Sequence, residues 1–303
     1  MKNYFDIFLI IVAIIIIPDA TAQIPGEDSK QKSVTVTISL TGEMQVEHVI
    51  EDLNVPSQIE LINGTKSYLT VKDQEGNSVQ YGEIGGDSLM ILPSDNETII
   101  EYDLENELTL KDNVWTLDFF YLESTAFIFP KKVNLIFVNN QPAYLGEKDG
   151  IVCHGCKMFL EFSMDEPKIF ESVKIQDSKF LIEIRTVDKI NQFIFDPSKG
   201  ISFEVIDGGK WVTTILPVNL LSKPYQVFLD DEKIRFQTTF NNDTHVWLNM
   251  KPQNSGEISI IGTLVPEIKI SPEESIQLEV IVVGIIIIGA VITGIFFLKR
   301  KKI

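Results

Sequence analysis

Ser33-Val34-Thr35-Val36-Thr37-Ile38-Ser39-Leu40 alternates without a break between aliphatic and hydroxyl side chains. Successive side chains of an extended backbone point to opposite faces. The octet therefore predicts a strand with Val34, Val36, Ile38 and Leu40 against a core and Ser33, Thr35, Thr37 and Ser39 toward water. The same two-residue period recurs at 99–104, 115–120, 134–138, 158–164, 180–184, 201–205, 211–216, 225–229, 245–250 and 257–261. Between these runs sit turn-forming groups, among them Asn63-Gly64, Gly76-Asn77, Gly85-Gly86, Asp207-Gly208-Gly209 and Asp230-Asp231. Helical periodicity is nearly absent, so the expected fold class is all-β: two β-sandwich domains of immunoglobulin-like or related type.

The length of 303 residues suits two such domains, at about 100 to 150 residues each. Asp165-Glu166-Pro167 closes one strand with charge and a proline that cannot continue a ladder. This places a first β domain at 23–167 and a second at 168–265. An acidic stalk rich in proline, serine and glutamate then covers 266–279.

The two ends carry different signals. Residues 7–17 form an apolar run, followed by Pro18-Asp19 and the small triplet Ala20-Thr21-Ala22. That order predicts a secretory signal peptide over 1–22 with cleavage between Ala22 and Gln23. Lys2 is partly offset by Asp6, which keeps an uncleaved anchor as the alternative. From Val280 to Leu298 there is no charged residue, and Lys299-Arg300-Lys301-Lys302 follows at once. As a helix this stretch is about 28 Å long, enough for the hydrocarbon layer. The cations hold the tail, 299–303, on the cytoplasmic side. The expected protein is a single-pass membrane protein whose amino-terminal domains lie outside the cell.

Net charge is −17 overall, and the part between the signal segment and the basic tail carries −20. Such a surface favours solubility and repels polyanions, so no nucleic-acid partner is expected. A 44% apolar share is normal for folded protein and argues against a disordered acidic chain.

One local constellation stands out: Cys153-His154-Gly155-Cys156, with Met158 and Met164 downstream. Outside the cell such a pair forms a short disulfide, which adds little stability because loop-closure entropy grows with loop length. The alternatives are a thiol-redox pair, or a soft-ion site in which Cys153, Cys156 and His154 bind copper. Met158, Leu160, Phe162 and Met164 share one strand face, and their period assigns them to the core. The chain has only these two cysteines and three histidines, so a four-ligand zinc site is not expected. His48, next to Glu47 on a charged strand, and His245 read as solvated or partly covered surface histidines.

No Gly-x-Ser-x-Gly elbow, His-Glu-x-x-His pair or phosphate-binding glycine loop occurs in the sequence. No catalytic or cofactor-binding residues are assigned, and no enzymatic activity is expected. Asn63, Asn96 and Asn242 each head an Asn-x-Thr sequon in a polar, turn-like segment and are glycosylation candidates.

The segment Trp211-Val-Thr-Thr-Ile-Leu-Pro-Val-Asn-Leu-Leu221, then Pro224-Tyr-Gln-Val-Phe-Leu-Asp-Asp231, then Glu257-Ile-Ser-Ile-Ile-Gly-Thr-Leu-Val-Pro-Glu267 resembles the carboxy-terminal module of archaeal single-pass cell-surface proteins. In that family a strand ending Ile-Pro-x-x-Leu-Leu leads to Pro-Tyr-x-Val-x-Val-Asp-Gly. The module closes on Gly-Thr-x-Val-Pro-Glu-Phe before a transmembrane helix. The resemblance covers 168–268, and Ile268 stands where the family has phenylalanine. Trp115, Phe129-Pro130 and Gln141-Pro142 give the first domain a fainter likeness to the β domains of signal-anchored archaeal proteins. The resemblance implies a cell-surface or envelope-associated protein with a structural, adhesive or binding role and an envelope or membrane-protein partner. Extracellular copper or thiol-redox handling, and an accessory subunit docked through the glycines of 280–298, are the competing expectations.

Overall fold

A computed structural model describes residues 31–265. The signal segment with its Ala22–Gln23 junction, the stalk, the 280–298 stretch and the basic tail lie outside the described residues. Every regular element among the described residues is a β-strand, and none of them forms a helix long and apolar enough to cross a membrane. The chain divides into two compact units between Asp165 and Glu166.

Among its described residues the first unit holds fourteen strands: β1 (Gln31–Ile38), β2 (Met44–Ile50), β3 (Ser57–Glu60), β4 (Thr65–Asp73), β5 (Tyr81–Ile84), β6 (Ser88–Ile91), β7 (Thr98–Glu105), β8 (Thr109–Lys111), β9 (Val114–Tyr121), β10 (Thr125–Ile128), β11 (Leu135–Val138), β12 (Gln141–Tyr144), β13 (Gly150–Cys153) and β14 (Cys156–Phe162). They form a six-stranded sheet ordered β13-β10-β1-β2-β7-β4, a five-stranded sheet β12-β11-β14-β9-β8, and a three-stranded sheet β3-β6-β5. All pairings are antiparallel except β1 with β10, where Val34 to Thr37 run alongside Thr125 to Ile128. One core joins the three sheets. Val34, Val36, Val46, Ile100 and Phe127 come from the first, Leu117, Phe119, Met158 and Leu160 from the second, and Ile59, Leu89 and Ile91 from the third.

The opening octet becomes β1, with Val34, Val36 and Ile38 almost fully buried. Leu40 departs from the expectation. The strand ends at Ile38, and Leu40 is 59% exposed in the turn that follows. The reason lies at Gly42, which has φ +86° and accepts the Trp115 indole so closely that a Cβ would sit 2.2 Å from the ring. The chain must turn there, so the alternation of the sequence runs two residues past the end of the strand.

The second unit holds β15 (Lys168–Ile175), β16 (Ser178–Thr186), β17 (Ile190–Asp196), β18 (Gly200–Val205), β19 (Val212–Pro217), β20 (Leu221–Leu229), β21 (Glu232–Lys233), β22 (Phe236–Asn242), β23 (His245–Met250) and β24 (Gly256–Leu264). Two five-stranded sheets, β15-β16-β19-β23-β22 and β17-β18-β24-β20-β21, enclose a second core. Ile182, Ile184, Val212, Leu248 and Met250 face Phe203, Val205, Val227, Ile258 and Ile260 across it, all fully buried. The Asp230-Asp231 turn joins β20 to β21 with both residues at positive φ, 47° and 67°. This is the two-residue hairpin geometry whose twist matches the flanking strands.

Candidate functional site

The Cys-His-Gly-Cys segment occupies a corner of the first unit. Cys153 ends β13 and pairs with Thr125 in the six-stranded sheet, whereas Cys156 begins β14 and pairs with Tyr121 in the five-stranded sheet. Residues 121–125 make the same crossing in the opposite sense, so two sheet-switching connections run side by side. They touch at two points. His154 Nδ1 and Ser124 Oγ share a hydrogen bond of 2.9 Å, and Gly155, at φ +55°, lies where a Cβ would be 2.6 Å from the Leu122 carbonyl oxygen. No free cysteine occurs among the described residues. Cys153 is half-buried against the core, and the side chain of Cys156 lies outside the described set. Met158 is turned into the core at 1% exposure, as its period requires, and Met164 packs against the same core. Among the described residues no group of three histidine, cysteine or acidic side chains is placed to hold a metal ion.

His48 corrects the sequence reading. It is fully buried, not solvated. On β2 the inward positions are Met44, Val46, His48 and Ile50. Glu47 points the other way, so its charge says nothing about its neighbour's surroundings. The imidazole sits where all three sheets of the first unit meet. Gln31 Oε1 can only accept, so His48 Nδ1–H donates to it at 2.6 Å, and the Tyr102 hydroxyl donates to Nε2 at 2.9 Å. Tyr102 in turn accepts the Ile62 N–H at 3.0 Å. The Gln31 amide donates to the Tyr121 hydroxyl at 2.9 Å, and that hydroxyl donates to the Glu60 carbonyl at 2.6 Å. Both ring nitrogens are satisfied in the neutral form. Burial, with a smaller push from the Lys66 ammonium, lowers the imidazole pKa to about 3. Burial also pushes both tyrosine hydroxyls far above their ordinary value. With no exposure and no spare nitrogen, His48 holds the sheets together and has no route to a substrate. The signal that identifies it in sequence is the Met-x-Val-x-His-x-Ile alternation itself.

The second unit carries its own polar cluster on β15, β16 and β23. Arg185 Nε donates to Glu183 Oε1 at 2.6 Å while the guanidinium stacks 4.6 Å from the centre of the Trp247 ring. Glu166 lies beside them, and burial raises its carboxyl pKa to about 7 against the opposing pull of Arg185 and Lys168. Asp188 is nearly buried and accepts the backbone N–H groups of Lys189 (2.7 Å), Asp207 (3.1 Å) and Gly208 (2.9 Å), tying the expected Asp207-Gly208-Gly209 turn to the connection between β16 and β17.

The three sequon asparagines have different settings. Asn96 is half-buried and its Thr98 is fully buried, with a hydroxyl that has no hydrogen-bond partner. Asn242 is exposed, and its Oδ1 accepts from Thr244 N–H at 2.9 Å and His245 N–H at 3.0 Å to close its own turn. His245 is half-buried on that turn. Asn63 is exposed at the mouth of a cleft of about 500 Å³ in the first unit, which sequence reasoning did not anticipate. Its lining joins the buried Ile62, Leu104, Leu117 and Phe119 to the half-buried Glu107 and the exposed Asp118, Phe120 and Lys157.

No protein-family profile matches this chain, and no curated protein does. Among solved structures, the crystal structure of an aminopeptidase N family protein from Idiomarina loihiensis is similar at 11% identity and a TM-score of 0.34, over 48% of this chain and 31% of that one. The chain thus spans about a third of that protein's length.

Proposed function

We propose that this chain is a non-enzymatic, single-pass cell-surface protein with a structural, adhesive or binding role. In this reading two sandwich domains of immunoglobulin-like or related type project from the membrane on the acidic stalk. Residues 280–298 form the transmembrane helix, and residues 1–22 are removed as the signal peptide. The observation that carries it is the order along the chain: an apolar leader, an all-β body of strongly negative charge, then a charge-free stretch ending in four cations. The resemblance of 168–268 to the membrane-proximal module of archaeal surface proteins supports the same reading.

Cys153 and Cys156 are assigned to one disulfide that clasps the corner where β13 hands over to β14. The contact of the neighbouring 121–125 crossing through Ser124 and Gly155 supports a structural clasp over a copper or redox pair. Fractionation tests the anchor and the leader together. The full chain is expected to stay with membranes after an alkaline wash and to begin at Gln23. Release by alkali, or an intact amino terminus at Met1, contradicts the corresponding element. Anaerobic Cu(I) titration separates the clasp from the metal reading, since tight binding that vanishes in a Cys153→Ser, Cys156→Ser variant favours the metal.

A further inference from the structure

We propose that the cleft beneath Asn63 takes a sugar borne by Asn63 itself: the side-chain amide carries an N-linked glycan whose first residue seats in the cleft against Phe120. This rests on the cell-surface reading, because the modification requires export. Three observations lead to it. First, the sequon Asn63-Gly64-Thr65 is held rigidly against the cleft. Ile62, buried at 2% exposure, donates its N–H to Tyr102. Gly64, at φ +130°, presses so close to the wall that a Cβ would meet Glu107 Oε1 at 2.6 Å and Leu104 Cδ1 at 2.9 Å. Second, Asn63 and Thr65 are both exposed and open to a transferase, unlike Asn96 with its buried Thr98. Third, the cleft has the chemistry of a sugar site. Phe120, 58% exposed on an otherwise folded sheet, offers a flat apolar face for the C–H side of a pyranose. Glu107 and Asp118 offer acceptors, and Lys157 a donor, for its hydroxyls. A volume of about 500 Å³ is within the range of small-molecule sites.

The covalent step needs a co-substrate, a polyprenyl-phosphate-linked sugar. The Asn63 Nδ2–C1 bond forms as the C1–O bond to phosphate breaks. The nitrogen gives up one proton, and the leaving phosphate oxygen takes one, so no oxidant or reductant is involved.

The test uses the full chain expressed in an N-glycosylating host. Peptide mass spectrometry reads occupancy at each sequon, and amide exchange of 117–120 is compared before and after enzymatic trimming of the glycan. The expected result is an occupied Asn63, with exchange at 117–120 accelerating several-fold on trimming. A Phe120→Ser variant should keep the glycan and lose the protection. Labelling of the same intact cells with an impermeant amine reagent separates the two failures. A labelled chain with bare Asn63 overturns this inference alone, whereas an unlabelled, bare chain overturns the cell-surface reading beneath it. An occupied Asn63 whose trimming leaves exchange unchanged overturns the seating.

Discussion

In the first unit the group that burial keeps neutral is a base, His48. In the second it is an acid, Glu166. Both follow from the same cost of desolvating a charge, yet they give opposite responses to pH. Unfolded, His48 takes up a proton near its ordinary value of 6.5, while in the fold it resists until about pH 3. The unfolded state therefore binds more protons across that window. The first unit keeps the full benefit above about pH 6.5 and loses stability as pH falls toward 3. Glu166 behaves the other way. The fold holds its proton up to about pH 7 and the unfolded chain releases it near 4.5, so its contribution to the second unit is lost as pH rises through that interval. The polar surroundings explain how each is tolerated. His48 is satisfied by Gln31 and Tyr102 and faces one cation, Lys66, whereas Glu166 has Arg185 and Lys168 to lean on once ionised and Glu183 against it.

That contrast can be broken at five places. The largest effect belongs to His48. Between pH 6.5 and 3 the first unit should lose up to about 1.4 kcal/mol per pH unit, and His48→Gln should flatten that slope whatever it costs in absolute stability. Residue-resolved hydrogen exchange on β1, β2 and β7 as a function of pH reads this. Next is Tyr102→Phe, which leaves the Ile62 N–H and His48 Nε2 without their buried partner and should cost about 2 to 4 kcal/mol by denaturant unfolding. In the second unit Asp188→Ala strands three backbone donors and should cost about 2 to 3 kcal/mol, confined to exchange around 188–189 and 206–209. Smaller still is Cys153→Ser with Cys156→Ser. By the chain-entropy argument, opening so short a loop costs about 2 kcal/mol at most, with local exchange at 121–125 and 150–157 rising more than global stability falls. The least is Glu166→Gln, expected to remove the decline of the second unit between pH 4.5 and 7, a change of about 1 kcal/mol once solvent screening is allowed for.

The parts of the fold legible in the sequence are the strands buried on one face. β1, β7, β9, β14 and β18 show their alternation plainly because a core on one side and water on the other impose it. β5 is exposed at all four residues and β8 at all three, so neither has a face to mark. β4 and β17, each at the edge of its sheet, are mostly half-buried along their length, and neither shows the regular two-residue period. β19 is read as a strand over 211–216, yet all six of its residues are buried, Thr213 and Thr214 included, so its polar positions mark no exposed face. β2 does alternate, and the parity of His48, not the charge of neighbouring Glu47, sets its burial. The cysteine corner was visible as a motif, while its position between two sheets depends on pairings to Thr125 and Tyr121 that no local pattern encodes. The Asn63 cleft is assembled from residues between 62 and 157, and its parts have nothing in common along the chain.

Whether the all-β body stands outside the cell is decided most directly by protease added to intact cells that carry the full chain. The account predicts that residues 31–265 are digested and that a small membrane-retained fragment containing 280–303 remains. Survival of the full chain until the cells are lysed would place the body in the cytosol and contradict it.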